Sequence, residues 1–500
     1  VSGSFLENAP VVAVSSINGA GIEELKAELV RVADSIAVRD NDRVAFLPID
    51  RSFTVKGFGA VVTGTLASGE IAEGSEVELL PGTRRLRVRG VQAHGRSVKT
   101  AHAGQRTAIN IAGIDHSELS RGMALSEPGV LRPTQMFDAR IETLVEMRSR
   151  QRVRVHIGTA EVLARISVIG ETGEIAAGES GFIQFRLETP VACFLGERLI
   201  VRSYSPQTTI GGGLVLIPDA EKIKGKEINN RSEFLSAIFA SLEDRAGVGR
   251  LIIESRGEKG SSIGELRAAT GWVFEIARSA INDNVTSGSV VDVGGRLIAA
   301  TAFADLLSRI TAAVETFHKR EPLAVGISRE ALRERVFRYM PMSSFTAVLS
   351  ILEKDGKIVI DKDTIRGSGH KTNLSPVEMR VLDGFLATYY EARFGPPKLD
   401  EVLGNAVRVS AVEARKLFQV LVKGGEIIKV TDELYFSAPA IDELVAAIRA
   451  YADSTPDRVI DVARFKEIAG VTRKYAIPLL EYFDGTRITM RAGDKRVVLK

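Results

Sequence analysis

The residues with the most evident chemistry in this 500-residue sequence are clusters of cations. The last thirty residues hold Arg473, Lys474, Arg487, Arg491, Lys495, Arg496 and Lys500 against Glu481, Asp484 and Asp494. An earlier run, Arg84, Arg85, Arg87, Arg89, Arg96 and Lys99, contains no acidic residue. Guanidinium and ammonium groups in such density suit nucleic-acid phosphates. Protein contacts would equally explain the terminal cluster, and a solvated strand face the earlier one. Alternation puts Arg85, Arg87 and Arg89 on one side of a strand. Thr472 stands where it would cap a helix opened by Arg473 and Lys474, whose first amides also favour phosphate. Pro478 falls deep enough in that helix to bend it. Gly493-Asp494 would turn a hairpin flanked by Arg491, Lys495 and Arg496.

Other chemistries lack their residues. One cysteine, Cys193, excludes an intramolecular disulfide framework and leaves no thiolate set for zinc. The six histidines (94, 102, 116, 156, 318 and 370) are scattered, and none forms a HExxH pair. No catalytic or metal-ligating set is expected. No GxxxxGK[ST] phosphate loop occurs: Gly369-His370-Lys371-Thr372 has histidine where the second glycine belongs. Asp292–Gly295 matches DxxG, a pattern too short to carry weight, and NKxD is missing. With 66 basic and 63 acidic residues the net charge is +3, so any nucleic-acid surface must be local. No apolar stretch approaches the roughly 18 residues of a membrane span, and no charged-then-apolar leader is present. A cytoplasmic, monomeric protein is expected. The abrupt start at Val1 reads as a fragment or a lost start.

These residues need a multidomain scaffold. Residues 9–38 read as a strand (Ala9–Val14), a loop (Ser15–Gly21) and a helix with Ile22, Leu25, Leu29 and Val32 on one side. From 42 to 218, short alternating segments with glycine turns predict antiparallel barrels. Gly69-Glu70-Ile71-Ala72-Glu73-Gly74 recurs as Gly173-Glu174-Ile175-Ala176-Ala177-Gly178, implying two related barrels that meet near Pro133. Residues 219–230 are polar and read as a linker or hinge. Beyond them an apolar helix, a glycine turn and a strand pair recur. The helix positions are Val273, Ile276 and Ala280; Phe345, Val348, Leu349 and Leu352; Val412, Leu417 and Leu421; and Ala476, Leu480 and Phe483. The turns carry Gly288, Gly356, Gly425 and Gly485, and the strand pairs cover 290–299, 357–365, 426–436 and 487–499. Helices followed by a hairpin describe winged helices, here four in tandem.

The stretch Phe53-Thr54-Val55-Lys56-Gly57-Phe58-Gly59-Ala60-Val61-Val62-Thr63-Gly64-Thr65-Leu66, with Gly69–Gly74 and Glu76-Val77-Glu78-Leu79-Leu80, resembles the second domain of tRNA-delivering elongation factors. Leu47-Pro48-Ile49-Asp50-Arg51, Ala103–Asn110, Thr209-Ile210-Gly211-Gly212-Gly213 and Thr472–Asp484 are similar to the selenocysteine-specific elongation factors in particular. Elongation factor Tu has no winged helices. The resemblance implies seven segments: 1–40 as the remnant of an α/β GTPase domain, 42–133 and 134–218 as two β-barrels, then winged helices 1 to 4 at 226–300, 301–370, 371–438 and 441–500. It implies a pocket of Asp50, Arg51 and Arg106 for the selenocysteine end of the tRNA. Asp50 and Arg51 would otherwise be an ordinary surface pair. Arg85, Arg87 and Arg89 would touch tRNA, and Arg473, Lys474, Arg491, Lys495 and Arg496 an mRNA hairpin. Ser15, Ser16 and Ile17 resemble the last guanine-binding loop of GTPases. GTP and Mg2+ are implied by the family only, and the ribosome is an implied partner. Two rival readings remain: a translational GTPase relative with protein-binding winged helices, and a winged-helix DNA regulator. With no phosphate loop in its sequence, the 500-residue chain is expected to show no GTP turnover; phosphate release above background from purified protein would overturn this.

Overall fold

The computed structural model describes residues 6–35, 42–57, 59–224, 227–321, 324–338, 340–370, 375–407, 409–455 and 457–499. Phe58, residues 36–38 of the first predicted helix, Lys371, Thr372 and Lys500 lie outside them. The chain forms two compact units, residues 1–306 with 339–347, and residues 307–338 with 348–500.

In the first unit, period-two alternation becomes sheet. The strands Phe46–Pro48, Ala124–Ser126, Glu76–Leu80, Arg84–Ala93, Arg106–Ala112, Gly59–Thr65 and Arg51–Val55 follow one another in an antiparallel sheet, with Arg96–Val98 on Arg84–Ala93. Their inward side chains, among them Leu47, Val62, Val88 and Ile109, make one core. Six of the next eight strands, from Pro133–Thr143 to Thr209–Ile217, close into a barrel around Phe137, Val155, Phe185 and Val201. The triplet Gly211-Gly212-Gly213 is steric: a Cβ on Gly213 would collide with the Arg140 carbonyl of the neighbouring strand. The six-residue repeat has one geometry in both copies. Glu70–Ala72 pairs with Thr100–His102, and Glu174–Ile175 with Met147–Arg148, each as a small flap outside the main sheet.

Residues 219–224 and 227–230 are not a free hinge; residues 225 and 226 of the predicted linker lie outside the described residues. Ile217 and Ala220 are buried in a core shared by the closed barrel and the following helices, with Leu195, Leu216, Leu235, Ile238, Val248 and Trp272. Gln184 on the barrel donates to the Glu221 carbonyl (3.0 Å) and accepts from the Ile223 amide (3.3 Å). Arg231 donates to Asp138 at 2.6 Å, and Gln184 donates to the same carboxylate at 2.8 Å. Backbone groups of Glu221 and Ile223 are thus tied to Gln184, which with Arg231 satisfies a carboxylate, Asp138, that is 0% exposed. A second expectation fails at residues 9–14, which form no ladder; the helix Ile22–Ser35 that follows buries no residue.

The helical modules start where the sequence says they should. Ser262, Ser375 and Ser410 each bond the third amide of a helix whose third residue, Glu265, Glu378 or Glu413, bonds back. Helices Arg245–Ser255, Ile263–Thr270 and Phe274–Thr286 precede the hairpin Val290–Val293/Arg296–Ala299. In the second unit, Ile358–Asp361/Thr364–Gly367 is the next hairpin. Pro376–Ala392, Leu399–Gly404 and Ala411–Gly424 lead to Ile427–Lys429/Tyr435–Ser437. Ala438–Asp453, Val462–Ala469 and Arg473–Gly485 lead to Thr489–Ala492/Lys495–Val498. Gly288, Gly356 and Gly425 take positive φ at the turns, but Gly485 stays helical and Arg487 turns the chain instead, at φ 62°. Val412 is 67% exposed, so Ala414, Leu417, Phe418 and Leu421 carry that helix's core face.

Replacing Arg231 by Ala strands a buried carboxylate, and about 3–5 kcal/mol of stability should be lost. The double change Asp138→Leu/Arg231→Met should restore most of it. The single tryptophan, Trp272, lies in the same core, so urea unfolding followed by its fluorescence reads both.

Candidate functional site

The strand Gly59–Thr65 sets the first site. Thr63 pairs with Arg51 on one side and Thr65 with Arg106 on the other. Residues two apart share a face, so Arg51 and Arg106 flank the same side. Asp50 precedes Arg51, and its Oδ1 accepts from Thr63 Oγ1 (2.8 Å) and Arg106 Nη2 (3.0 Å), while Oδ2 pairs with Arg106 Nη1. The guanidinium thus grips the carboxylate with both arms. Partial burial pushes the Asp50 carboxyl up, but the Arg106 and Thr63 hydrogen bonds and the charges of Arg106 and Arg51 outweigh it and hold it below the usual range. The structure therefore brings the three predicted residues together and adds Thr63. Thr63 lies within the 53–66 stretch that carries the family resemblance.

Arg85, Arg87 and Arg89 are exposed while Leu86 and Val88 between them are buried, as the alternation predicts. Arg84 is different: it pairs with Glu118 at 2.7 Å. Glu78 and Glu76 stand opposite Arg85 and Arg87 across the ladder, and Arg89 sits at a register shift.

A larger arginine face was missed. On the outside of the closed barrel Arg152 stands opposite Arg165, Arg165 opposite Arg186, and Arg154 opposite Arg202. The Tyr204 ring lies 4.7 Å from Arg152 and 5.5 Å from Arg154. Among the described residues, Glu188 and Glu161 are the carboxylates that pair with this group, at 2.7 Å from Arg152 and Arg154 respectively. Partial burial, opposed by Glu161 and reinforced by Arg202, Arg154 and Arg121, keeps the nearby His156 imidazole below its usual pKa. The sequence signal was the alternation Arg152-Val153-Arg154 within a strand, whose pairing partners are distant in sequence.

In the last module Arg473 and Lys474 open the helix Arg473–Gly485 and are exposed, as are Arg491 and Lys495 on the hairpin. Thr472 occupies the cap position, but its side chain makes no capping bond. Arg496 departs from the expectation. It is 7% exposed and donates to Asp484 at 2.8 Å, and Asp484 also accepts from Thr489 (2.6 Å). Its guanidinium braces the hairpin against the helix and is not presented to a ligand. The hairpin residue beside Arg491 that is exposed instead is Met490, at 55%.

Ser15, Ser16 and Ile17 lie on a tight loop closed by Ser15 N–H to Ala20 O (2.9 Å) and Gly19 N–H to Ser15 O (3.0 Å), with Ile17 97% exposed. Among the described residues no group of three His, Cys, Asp or Glu could hold a metal ion, and no helix is long and apolar enough to cross a membrane.

A sheet of this pattern followed by a closed barrel and hairpin-tipped helical modules defines a translation elongation factor. Residues 59–126 match the model of elongation factor Tu domain 2. Residues 134–222 match the β-barrel domain of the selenocysteine-specific elongation factor, and residues 311–366 and 455–498 match winged helices of elongation factor SelB. The selenocysteine-specific elongation factor of Desulfomicrobium baculatum is 32% identical over the whole of this chain, which spans 79% of its length. That of Escherichia coli K12 is 24% identical over 98% of the chain and 76% of its own length. A crystal structure of a bacterial selenocysteine-specific elongation factor shares the fold over 99% of the chain and 77% of its own, with TM-score 0.62 at 23% identity. The chain belongs to the selenocysteine-specific elongation factor family.

Asp484→Ala leaves the Arg496 guanidinium buried without its carboxylate. The expected result is a loss of about 1–3 kcal/mol from the last module, seen as a lower unfolding midpoint, with Arg473→Ala leaving that midpoint unchanged.

Proposed function

We propose that the chain works in the cytoplasm as a monomer that delivers selenocysteinyl-tRNA to the ribosome at UGA codons, its last winged helix holding the selenocysteine-insertion hairpin of the mRNA. One observation carries this reading. A single polypeptide joins the Asp50–Arg106 fork with Arg51 beside it to a winged helix of the SelB type whose helix begins with two exposed cations.

In this reading residues 42–133 take the aminoacyl end. A selenol is more acidic than a thiol, so selenocysteine is an anion at neutral pH. Arg51 and Arg106 hold the selenolate, and Asp50, already aligned by Thr63, takes the α-ammonium group. A ligand bearing both charges replaces the internal Asp50–Arg106 fork with two external pairs. A serine ester brings no anion and leaves the arginines without one, which disfavours it. No covalent step is involved; the arginines bind. Arg85, Arg87 and Arg89, with the Arg152–Arg186 face of the closed barrel, then track the phosphates of the tRNA body.

Residues 441–500 take the hairpin. Arg473, Lys474, Arg491 and Lys495 hold its backbone, and Met490 is placed to pack on a splayed base. Arg496 acts through Asp484 by fixing the hairpin strands on the helix. GTP and Mg2+ come with the family, yet the residues present do not fit them. The loop Ser15–Ile17 offers a serine pair for a base, but the sequence has no phosphate loop to hold the phosphates that would carry the Mg2+. No step here runs through nucleotide.

A gel-shift titration with a selenoprotein mRNA hairpin tests the assignment. Arg473→Ala/Lys474→Ala should abolish most binding and lower the salt slope by about 2, one per phosphate contact. Wild-type-like binding by that variant would sink the reading. Preference for duplex DNA at matched salt would favour the regulator. For the pocket, Arg106→Ala should remove most of the preference for selenocysteinyl- over seryl-tRNA. A uniform weakening of both esters would instead make Arg106 a structural partner of Asp50.

A further inference from the structure

A winged helix usually reads nucleic acid with the start of the helix that follows its helix–helix turn. In winged helix 1 that turn is Gly271–Val273 and the helix is Phe274–Thr286. The place is filled by the protein itself. The Val44 amide donates to the Gly271 carbonyl (2.8 Å), the Val273 amide donates to the Asp42 carbonyl (2.9 Å), and Arg43 and Trp272 form an antiparallel bridge. Arg43 reaches past the turn and donates to the carbonyls of Leu195 (2.6 Å) and Thr270 (3.0 Å), with its guanidinium 4.9 Å from the centre of the Phe194 ring. Asp42 pairs with Arg245 at the start of the first helix of the module. Gly271 takes φ 70° as the left-handed cap of the helix Ile263–Thr270, and a Cβ there would lie 3.1 Å from the Phe194 ring on which Arg43 rests.

Charge points the same way. Asp42, Glu243, Asp244 and Asp283 line the cleft beside the turn, and its arginines, Arg43 and Arg245, are already bonded. The helix itself offers Arg278 against Glu275 and Asp283. A phosphate approaching this surface would meet carboxylates, whereas the helix of winged helix 4 opens on Arg473 and Lys474.

The structure assigns the reading surface of winged helix 1 to a segment of its own chain: the turn Gly271–Val273 is a binding site for the connector Asp42–Val44, which leads into the first sheet, and it is closed to RNA. The module clamps the entry to the first sheet, so strain on residues before Asp42 is felt in the first winged helix.

Hydrogen exchange on the full chain tests this independently of RNA binding. The Val44 and Val273 amides should be protected to the same degree, and Arg43→Ala should speed both together by about tenfold or more, leaving the strand Arg152–Ile157 unchanged. Arg43→Lys, which keeps the charge but cannot span two carbonyls, should do the same if the alanine variant folds poorly. The second arm is photo-cross-linking with a 4-thiouridine-substituted mRNA hairpin and transfer RNA, which should leave residues 271–286 unlabelled. Independent exchange of the two amides, or cross-links on 271–286 in the wild-type chain, would overturn the assignment. A wild-type chain that bound no hairpin yet showed coupled exchange would sink the hairpin reading and leave the clamp standing.

Discussion

A carboxylate with no access to water constrains the first unit. Asp138 sits on the first strand of the closed barrel at 0% exposure, where burial raises its pKa and Arg231 and Gln184 work against that rise. An unpaired charge in such a place would cost several kcal/mol, so the barrel needs the helix Ile228–Ala240, which brings Arg231. Gln184 ties the same carboxylate to the backbone of 221–223. Once those residues are placed, Leu235 and Ile238 come down on Ile217 and Ala220, and the barrel and the first winged helix share one core. Ion pairs of this kind give little net stability relative to apolar packing, but they allow few alternative arrangements. Here the pair fixes which part of the chain covers the barrel.

Local rules were legible in the sequence and long-range ones were not. The serine-to-glutamate capping boxes, the glycine turns at 288, 356 and 425, and the alternation of Arg85, Arg87 and Arg89 each depend on neighbours a few residues away. Asp50, Arg51 and Arg106 were proposed from a family resemblance, and the structure adds that Thr63 donates to Asp50 beside them. The hinge expected at 219–230 failed because Gln184, some forty positions earlier, holds the backbone of Glu221 and Ile223, and Arg231 just beyond the stretch reaches Asp138. Arg496 was misjudged for a related reason. Composition counts it among the cations of the hairpin, but strand parity turns it inward, and Asp484 at the end of the preceding helix makes the burial tolerable. The arginine face over Arg152, Arg165, Arg186 and Arg202 exists only once four strands are in register.

The tandem modules show how one architecture serves different ends, since function resides in sites and not in folds. The first and last share the order of helices and hairpin. In one, the turn before the third helix receives a backbone strand among carboxylates; in the other, the equivalent helix starts with exposed cations. A few residues separate a turn paired with the chain's own backbone from one that opens on exposed cations.

The Arg496–Asp484 brace separates two roles that charge usually confounds. Exposed cations such as Arg473 and Lys495 lose their hold on a polyanion as counterions accumulate, because their field is screened within about a Debye length. Arg496, at 7% exposure, is shielded from the same ions, so in the proposed function the face that carries Arg473 and Lys495 keeps its shape while its grip weakens. Ionic strength then acts on the encounter and not on the receptor. The response of affinity to salt becomes a direct count of contacts made, undistorted by any loosening of the surface that makes them.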